Sequence, residues 1–395
     1  MVSLPQELLD IIVDELGQDL ESLRALHSTS PSFRDRVQSH LFRSIHLPQR
    51  DSCHSFLELC TASPNIPDFV QALEITVFVN RDAAYQALSL PNLRSLRING
   101  GPSINPRHPS RVGIHKIPSS LLAYSLITSL TLDSLNIKSA QHMRNLLCSF
   151  ATLRTLEMNQ IRVCATGSVD EDGEPGYDDG PVIEDLSISF TSYNLCDMKI
   201  LLEIKGKPFL LRGLRRFSCA WTQNWHGIRG IKSLLHATKR TLQELHLCHS
   251  DLNHWAMYQT PHILDFSHIP CVIFEAPRRE NDRIIGLNWF MGCLEFQEDG
   301  PARISQLRLS LCVHNFEILS DQYRTLWRDL DGTLTAHRFA SLEKFNISVV
   351  IDGSMAATGE QNEDRLDFPQ MEQTLSSFLP TLHEQKKVLV QVVGS

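Results

Sequence analysis

The sequence predicts an α/β chain: a short N-terminal three-helix module followed by an irregular solenoid of parallel strands with helices. Three observations predict it. The first fifty or so residues place apolar side chains at helical spacing, broken by capping residues. Beyond residue 70 a phrase recurs with aliphatic or aromatic residues at its first, fourth and sixth positions, an alternation that suits a short strand with one buried face. Between copies of the phrase lie stripes of helical period. At 395 residues the chain is long for a single compact core and suits two or three domains, or one elongated repeat array.

The first helix opens at Leu4-Pro5-Gln6-Glu7-Leu8-Leu9, with Pro5 suited to the first helical position and Glu7 favourable at the positive end of the dipole. Leu9, Ile12, Val13 and Leu16 then fall at i, i+3, i+4 and i+7, Leu8 widens the stripe, and Gly17 suits a C-terminal stop. Asp19 can cap a second helix bearing Leu20, Leu23 and Leu26. Ser30-Pro31 reads as a cap and first-turn proline for a third, which carries Phe33, Val37 and Leu41 before the pattern turns to strand by Leu47. Domains of roughly 40 residues rarely fold without a staple or partner. A partner surface or the following domain should therefore complete this small core.

These residues resemble a known family. Leu4-Pro5-x-Glu7-Leu8-Leu9-x-x-Ile12-x-x-x-Leu16, then Asp19-Leu20-x-x-Leu23, then Ser30-x-x-Phe33-Arg34, look like the F-box. The ending Arg36-Val37-Gln38-Ser39-His40-Leu41-Phe42-Arg43-Ser44-Ile45 is similar to the F-box-like proteins abundant in mushroom-forming fungi. The resemblance covers residues 1–47 closely and the rest only in layout; Phe33 stands where many members have Trp. It implies that the helices dock onto a Skp-type adaptor of a cullin-RING ubiquitin ligase. Carried over by position, the adaptor-binding residues are Leu4, Pro5, Leu8, Leu9, Ile12, Leu16, Leu23 and Phe33. The competing reading makes the three helices a plain cap of the repeat domain.

Residues 48–395 form the expected repeat domain. The phrase appears as Leu93–Ile98, Ile127–Leu132, Leu153–Met158, Ile183–Ile188, Leu214–Cys219, Leu242–Leu247, Ile304–Leu309 and Leu342–Ile347. The starts at 153, 183, 214 and 242 lie 28 to 31 residues apart, at or just above the long end for leucine-rich repeats, so the array is leucine-rich-repeat-like. Helical stripes lie between: Met143, Leu146, Leu147 and Phe150; Ile228, Ile231, Leu234 and Leu235; Tyr323, Leu326, Trp327 and Leu330. The Asn or Cys expected after each strand is mostly absent, and one degenerate strand is expected at Cys271–Glu275 in the long gap from 242 to 304. Residues 166–181 form an acidic, Gly- and Pro-rich insertion read as a surface loop, and Ser354–Asp367 looks similar. Residues 370–395, with Met371, Leu375, Phe378, Leu379 and Leu382 and then a strand over Val388–Val393, are expected to cap the array.

Composition narrows the function. A net charge of −8 with scattered Arg argues against a nucleic-acid binder. No run approaches the roughly 18 apolar residues of a membrane span. The N-terminus lacks a secretory n-region and h-region, which points to the cytoplasm or nucleus and to ten reduced cysteines, mostly in the core. His246, Cys248, His249 and His254 match no structural zinc spacing and read as structural or surface residues. Asp170, Asp172 and Glu174 lack the Gly and the twelfth-position Glu of a calcium loop. No metal or cofactor is therefore expected. None of the nucleotide, hydrolase or zinc-protease motifs occurs, so the chain is read as a binding protein rather than an enzyme. Trp221, Trp225 and Trp255 follow strand phrases; core packing is one reading, and Trp225 is the candidate substrate-side anchor.

The expectation is a substrate receptor of an SCF-type ligase, binding a Skp-type adaptor through its helices and an unidentified protein substrate through its repeats. The alternative is a repeat scaffold unconnected to ubiquitin. An enzyme with a site on a repeat loop is the third reading.

Overall fold

The computed structural model describes residues 4–17, 19–76, 89–100, 126–137, 140–163, 180–189, 203–204, 207–208, 211–221, 225–249, 264–276, 280–295, 300–313, 316–351 and 368–394. The expected loop at 166–181 falls almost wholly outside these, as do Ser354–Asp367, Asp170, Asp172, Glu174, His254 and Trp255. The fold is α/β, and the chain divides into two compact units, Met1–Ile183 and Glu184–Ser395.

The first unit begins with α1 (Gln6–Glu15), α2 (Leu20–Thr29) and α3 (Pro31–Leu41). Pro5 is the N-cap of α1 rather than its first helical residue, because its ψ of 145° is extended. The other caps form as read. Asp19 accepts from the N–H groups of Glu21 and Ser22, both at 3.1 Å, and Ser30 accepts from Ser32 at 3.3 Å ahead of Pro31. Such caps are each worth about 1 kcal/mol. Val13, Leu23 and Val37, one from each helix, are fully buried, with Leu16, Leu26, Phe33 and Leu41 packed around them. Gly17 sits tight against this bundle, where an added Cβ would lie 3.0 Å from the His40 ring.

Asp14 clips α1 to α3. It accepts from Nε and Nη2 of Arg36, each at 2.6 Å, and contacts Nε2 of His40 at 2.8 Å. The Arg36 bond first, then that from His40, holds the Asp14 carboxyl at about 2 against its usual 3.8. A depressed carboxyl stabilises the fold above its unfolded pKa and loses that contribution as pH falls through the folded value. An acid titration of the helical module should show this clip released as pH drops from 3.8 toward 2, and Asp14→Asn should remove that step from the profile. An unchanged profile would show that the clip does not support the module.

The chain continues through β1 (Ser44–Leu47), α4 (Arg50–Ala62), α5 (Ile66–Phe69), β2 (Ala72–Thr76), β3 (Ser95–Asn99), β4 (Ser129–Asp133), α6 (Ala140–Cys148) and β5 (Thr155–Asn159). The five strands pair in parallel, each with the next in chain order. Their inward positions align into apolar ladders: Leu73, Leu96, Leu130 and Leu156 in one row, Ile75, Ile98, Leu132 and Met158 in the next. Burying one such side chain stabilises by about 1.5–3 kcal/mol.

The second unit holds β6 (Asp185–Ser189), β7 (Arg216–Trp221), α7 (Trp225–Ala237), β8 (Glu244–His249), β9 (Cys271–Glu275), α8 (Glu280–Glu295), β10 (Gln306–Val313), α9 (Asp321–Thr335), β11 (Lys344–Ile351), α10 (Phe368–Ser377), α11 (Pro380–Glu384) and β12 (Val388–Gly394). These seven strands are also parallel and sequential, and a separate short pair, Glu203–Ile204 with Lys207–Pro208, is antiparallel. The buried row Leu186, Phe217, Leu245, Val272, Leu307 and Phe345 repeats the pattern. All eight phrases become strands, as does Cys271–Glu275, and in each of the eight the strand starts at the third residue of the phrase. The first residue of every phrase is buried in the turn that leads into the strand.

A backbone rule accompanies the phrase. At most of the strand starts, one carbonyl just ahead of a strand accepts from two consecutive N–H groups where the next strand begins. Arg43 O takes those of Gln71 and Ala72, Gln71 O those of Arg94 and Ser95, and Arg94 O those of Thr128 and Ser129. Ser305 O takes those of Glu343 and Lys344. Beyond β3, Gly100 packs so closely that a Cβ would lie 2.1 Å from the carbonyl oxygen of Ser134. At the corresponding turns after β4 and β5, Ser134 and Gln160 both adopt φ of 54°.

Candidate functional site

Two surfaces carry the residues singled out by sequence. The first is the outside of the helical module. Leu4 is 56% exposed, Leu8 46%, Ile11 55%, Ile12 43% and Leu20 49%. Leu8, Ile11 and Ile12 stand at i, i+3 and i+4 and so share one helical face. Leu9 and Leu16 are half-buried, and Phe33 packs against the core. Leu23 is fully buried, so it supports the helices from within and has no surface to offer a partner. The α1 stripe is thus divided, Val13 inward and Leu8 and Ile12 outward. Ile11 belongs with the outward set; it lay off the stripe as read and was missed there.

Beside the module, a cleft of about 270 Å³ is walled by Arg36, His40, Arg43, Asp68 and Phe69 among others. Arg36 and His40 of its wall already contact Asp14, and the wall holds Asp68 as well as Arg43, so it is not a cluster of one sign.

The second surface is the exposed sheet face of each unit, where alternate strand positions are polar. In the first unit His46, Glu74, Arg97 and Asp133 form a chain of contacts at 3.7, 3.7 and 3.4 Å. Glu157 accepts from Thr131 at 3.2 Å and from Asn159 at 2.8 Å. In the second unit Arg216 donates to Asp185 through two bonds of 2.5 and 2.6 Å. On the neighbouring strands Ser218 Oγ lies 3.4 Å from His246 Nδ1, and His246 Nε2 lies 2.9 Å from Glu275 Oε1.

That last arrangement has the order of a nucleophile, base and carboxylate. It lacks the second half of such a site. The N–H groups beside Ser218 belong to strands paired on both sides, so they are not aimed at a developing oxyanion. His246 and Cys248 share the exposed face as the alternation indicated. Among the described residues no group of His, Cys, Asp and Glu has the arrangement of a metal site.

The described cysteines are free thiols. Cys53, Cys219 and Cys293 are buried and the other five are only partly so, fewer in the core than expected. Burial pushes the Cys219 thiol far up and Cys293 to about 12, which keeps both protonated and poorly nucleophilic. Trp225 begins α7, and its side chain lies outside the described set. Among the described residues no helix is long and apolar enough to cross a membrane. Comparison with protein-family models gives no match, and comparison with curated proteins gives none.

Proposed function

We propose that this chain is the substrate receptor of an SCF-type cullin-RING ubiquitin ligase. Its N-terminal helices bind a Skp-type adaptor, and a leucine-rich-repeat-like solenoid presents its exposed strand face to a protein substrate. The observation that carries the reading is the apolar surface of α1: Leu8, Ile11 and Ile12 stand 43–55% exposed on one face of a bundle whose fully buried core is Val13, Leu23 and Val37, and Leu4 and Leu20 of the same module are exposed too. A monomer gains nothing by leaving such a face in water, and patches of this kind mark interfaces. The sequential strand order and the repeated two-donor carbonyl support the repeat reading. Function then comes from raising the effective concentration of a target near the ligase, with bond chemistry done elsewhere.

A second reading, a scaffold whose helices only cap the repeats, is favoured by the seam after α3. There Arg43 O accepts from Gln71 and Ala72, each at 2.9 Å, tying the module to the first strands. One experiment separates the two. The wild-type chain should co-purify with a Skp-type adaptor, and Leu8→Asp with Ile12→Asp should weaken that complex by about 100-fold, as loss of two interface anchors does. Both side chains are half in water, so circular dichroism and melting of the variant should be unchanged. No adaptor binding by the wild type at micromolar concentration would leave the scaffold reading.

A further inference from the structure

The last three strands of the second unit differ in charge from the rest of the exposed face. Parallel register places Gln306 beside Lys344, Arg308 beside Asn346, Ser310 beside Ser348 and Cys312 beside Val350. It continues to β12 with Asn346 beside Leu389, Ser348 beside Gln391 and Val350 beside Val393. Lys387, whose carbonyl accepts from Phe345 at 2.7 Å, falls next to Lys344. The outward positions of β10, β11 and the start of β12 therefore hold Arg308, Lys344 and Lys387 and no carboxylate.

Elsewhere on these faces cations are matched: Arg97 by Glu74 and Asp133, Arg216 by Asp185. Among the described residues Arg308, Lys344 and Lys387 form no ion pair. Glu372 of α10 is occupied with the N–H of Val392 at 2.9 Å. In a chain of net charge −8 this is an uncompensated basic surface. It also changes character along the strands. Past the cations come Ser310, Ser348 and Gln391, with Leu389 54% exposed and Val393 42% exposed on the same face. From Lys387 to Val393 the face runs about 20 Å, and three strands are about 10 Å across.

We infer that the exposed face of β10–β12 binds an extended, Asp- and Glu-rich segment of a partner protein, with an aliphatic side chain of that segment seated on Leu389 and Val393. Charge complementarity selects the acid, because three cations without carboxylates both attract and orient it. Their spread over three strands suits several carboxylates along an extended chain better than one compact dianion. The exposed aliphatic pair supplies the apolar anchor that solvated charges lack. This deepens the receptor reading by giving its substrate a chemistry, but it uses none of the helical module. Loss of adaptor binding and loss of segment binding are separate results.

The test is fluorescence anisotropy on the full chain with a labelled peptide carrying a glutamate-rich run ahead of a leucine. Saturable micromolar binding that weakens with salt is expected. Arg308→Ala with Lys344→Ala and Lys387→Ala should weaken it by about tenfold or more, as loss of complementary charge does. Leu8→Asp with Ile12→Asp should leave it unchanged. A charge swap guards against misfolding: the variant Arg308→Glu, Lys344→Glu, Lys387→Glu should refuse the acidic peptide and bind its lysine-for-glutamate twin. No saturable binding by the wild type, equal binding by the triple alanine variant, or a marked preference for a phosphoserine peptide over the glutamate one would overturn the inference.

Discussion

Replacing Phe290 with alanine is expected to destabilise the second unit by about 3–5 kcal/mol, the cost of deleting a buried ring whose site cannot collapse. Phe290 lies on α8 and is 1% exposed. Its ring stacks on Phe274 of β9 at 4.5 Å between centroids and 6° between planes, and on Phe266 at 5.8 Å. Trp289 lies tilted against Phe274 at 6.1 Å. The stack fastens a helix to the degenerate strand that fills the long gap in the repeats. A denaturant titration should show a lower midpoint with an unchanged slope, and Phe290→Leu should recover part of the loss. A change below 1 kcal/mol would mean that the rings touch without supporting the fold.

The second large effect concerns Asp331, a carboxylate only 5% exposed on α9. It accepts from the N–H of Thr381 at 3.1 Å and of Leu382 at 2.9 Å, the first-turn donors of α11, where Pro380 has no N–H of its own. The cap comes from another helix some fifty residues earlier, so it joins the C-terminal segment to the body of the unit. Asp331→Ala strands two donors and removes two charge-assisted bonds. A loss of about 3 kcal/mol is expected, and Asp331→Asn should cost less. Hydrogen exchange should locate the damage, with residues 380–394 exchanging faster while β6–β8 keep their protection. Uniform acceleration across the unit would instead point to global unfolding without a local hinge.

The apolar phrases made the strands legible, because a buried face with period two leaves a direct imprint on sequence. The same holds for α9, whose Tyr323, Leu326, Trp327 and Leu330 are all buried. It does not hold for α8. Its buried Leu287, Phe290, Met291 and Leu294 do fall at i, i+3, i+4 and i+7, but Ile285, Trp289 and Cys293 place apolar residues off that row and blur the stripe. The strand β2 carries the phrase as well, Val70-Gln71-Ala72-Leu73-Glu74-Ile75, with Val70, Leu73 and Ile75 all buried, so it was legible in the sequence and was passed over there.

Candidate sites were harder to read for a geometric reason. Leu8 and Val13 look alike in sequence, and only the position of α3 decides which faces water. Arg308, Lys344 and Lys387 are scattered in the chain and become neighbours only through register. Writing the phrases under one another would have shown it: the third and fifth positions point outward, and they carry Gln306, Arg308, Lys344 and Asn346 in the last two copies.

The bond from Val392 to Glu372 has a consequence for crowded solutions. An outermost strand offers a row of free amides on which another chain can crystallise as an added strand, the usual seed of fibrils and aggregates. On β12 one of those amides is already taken by a carboxylate from α10, at 2.9 Å. A carboxylate accepts and never donates, so an approaching carbonyl meets like polarity at the point where it would have to bond. At that point the sheet is thereby discouraged from growing past its own last strand.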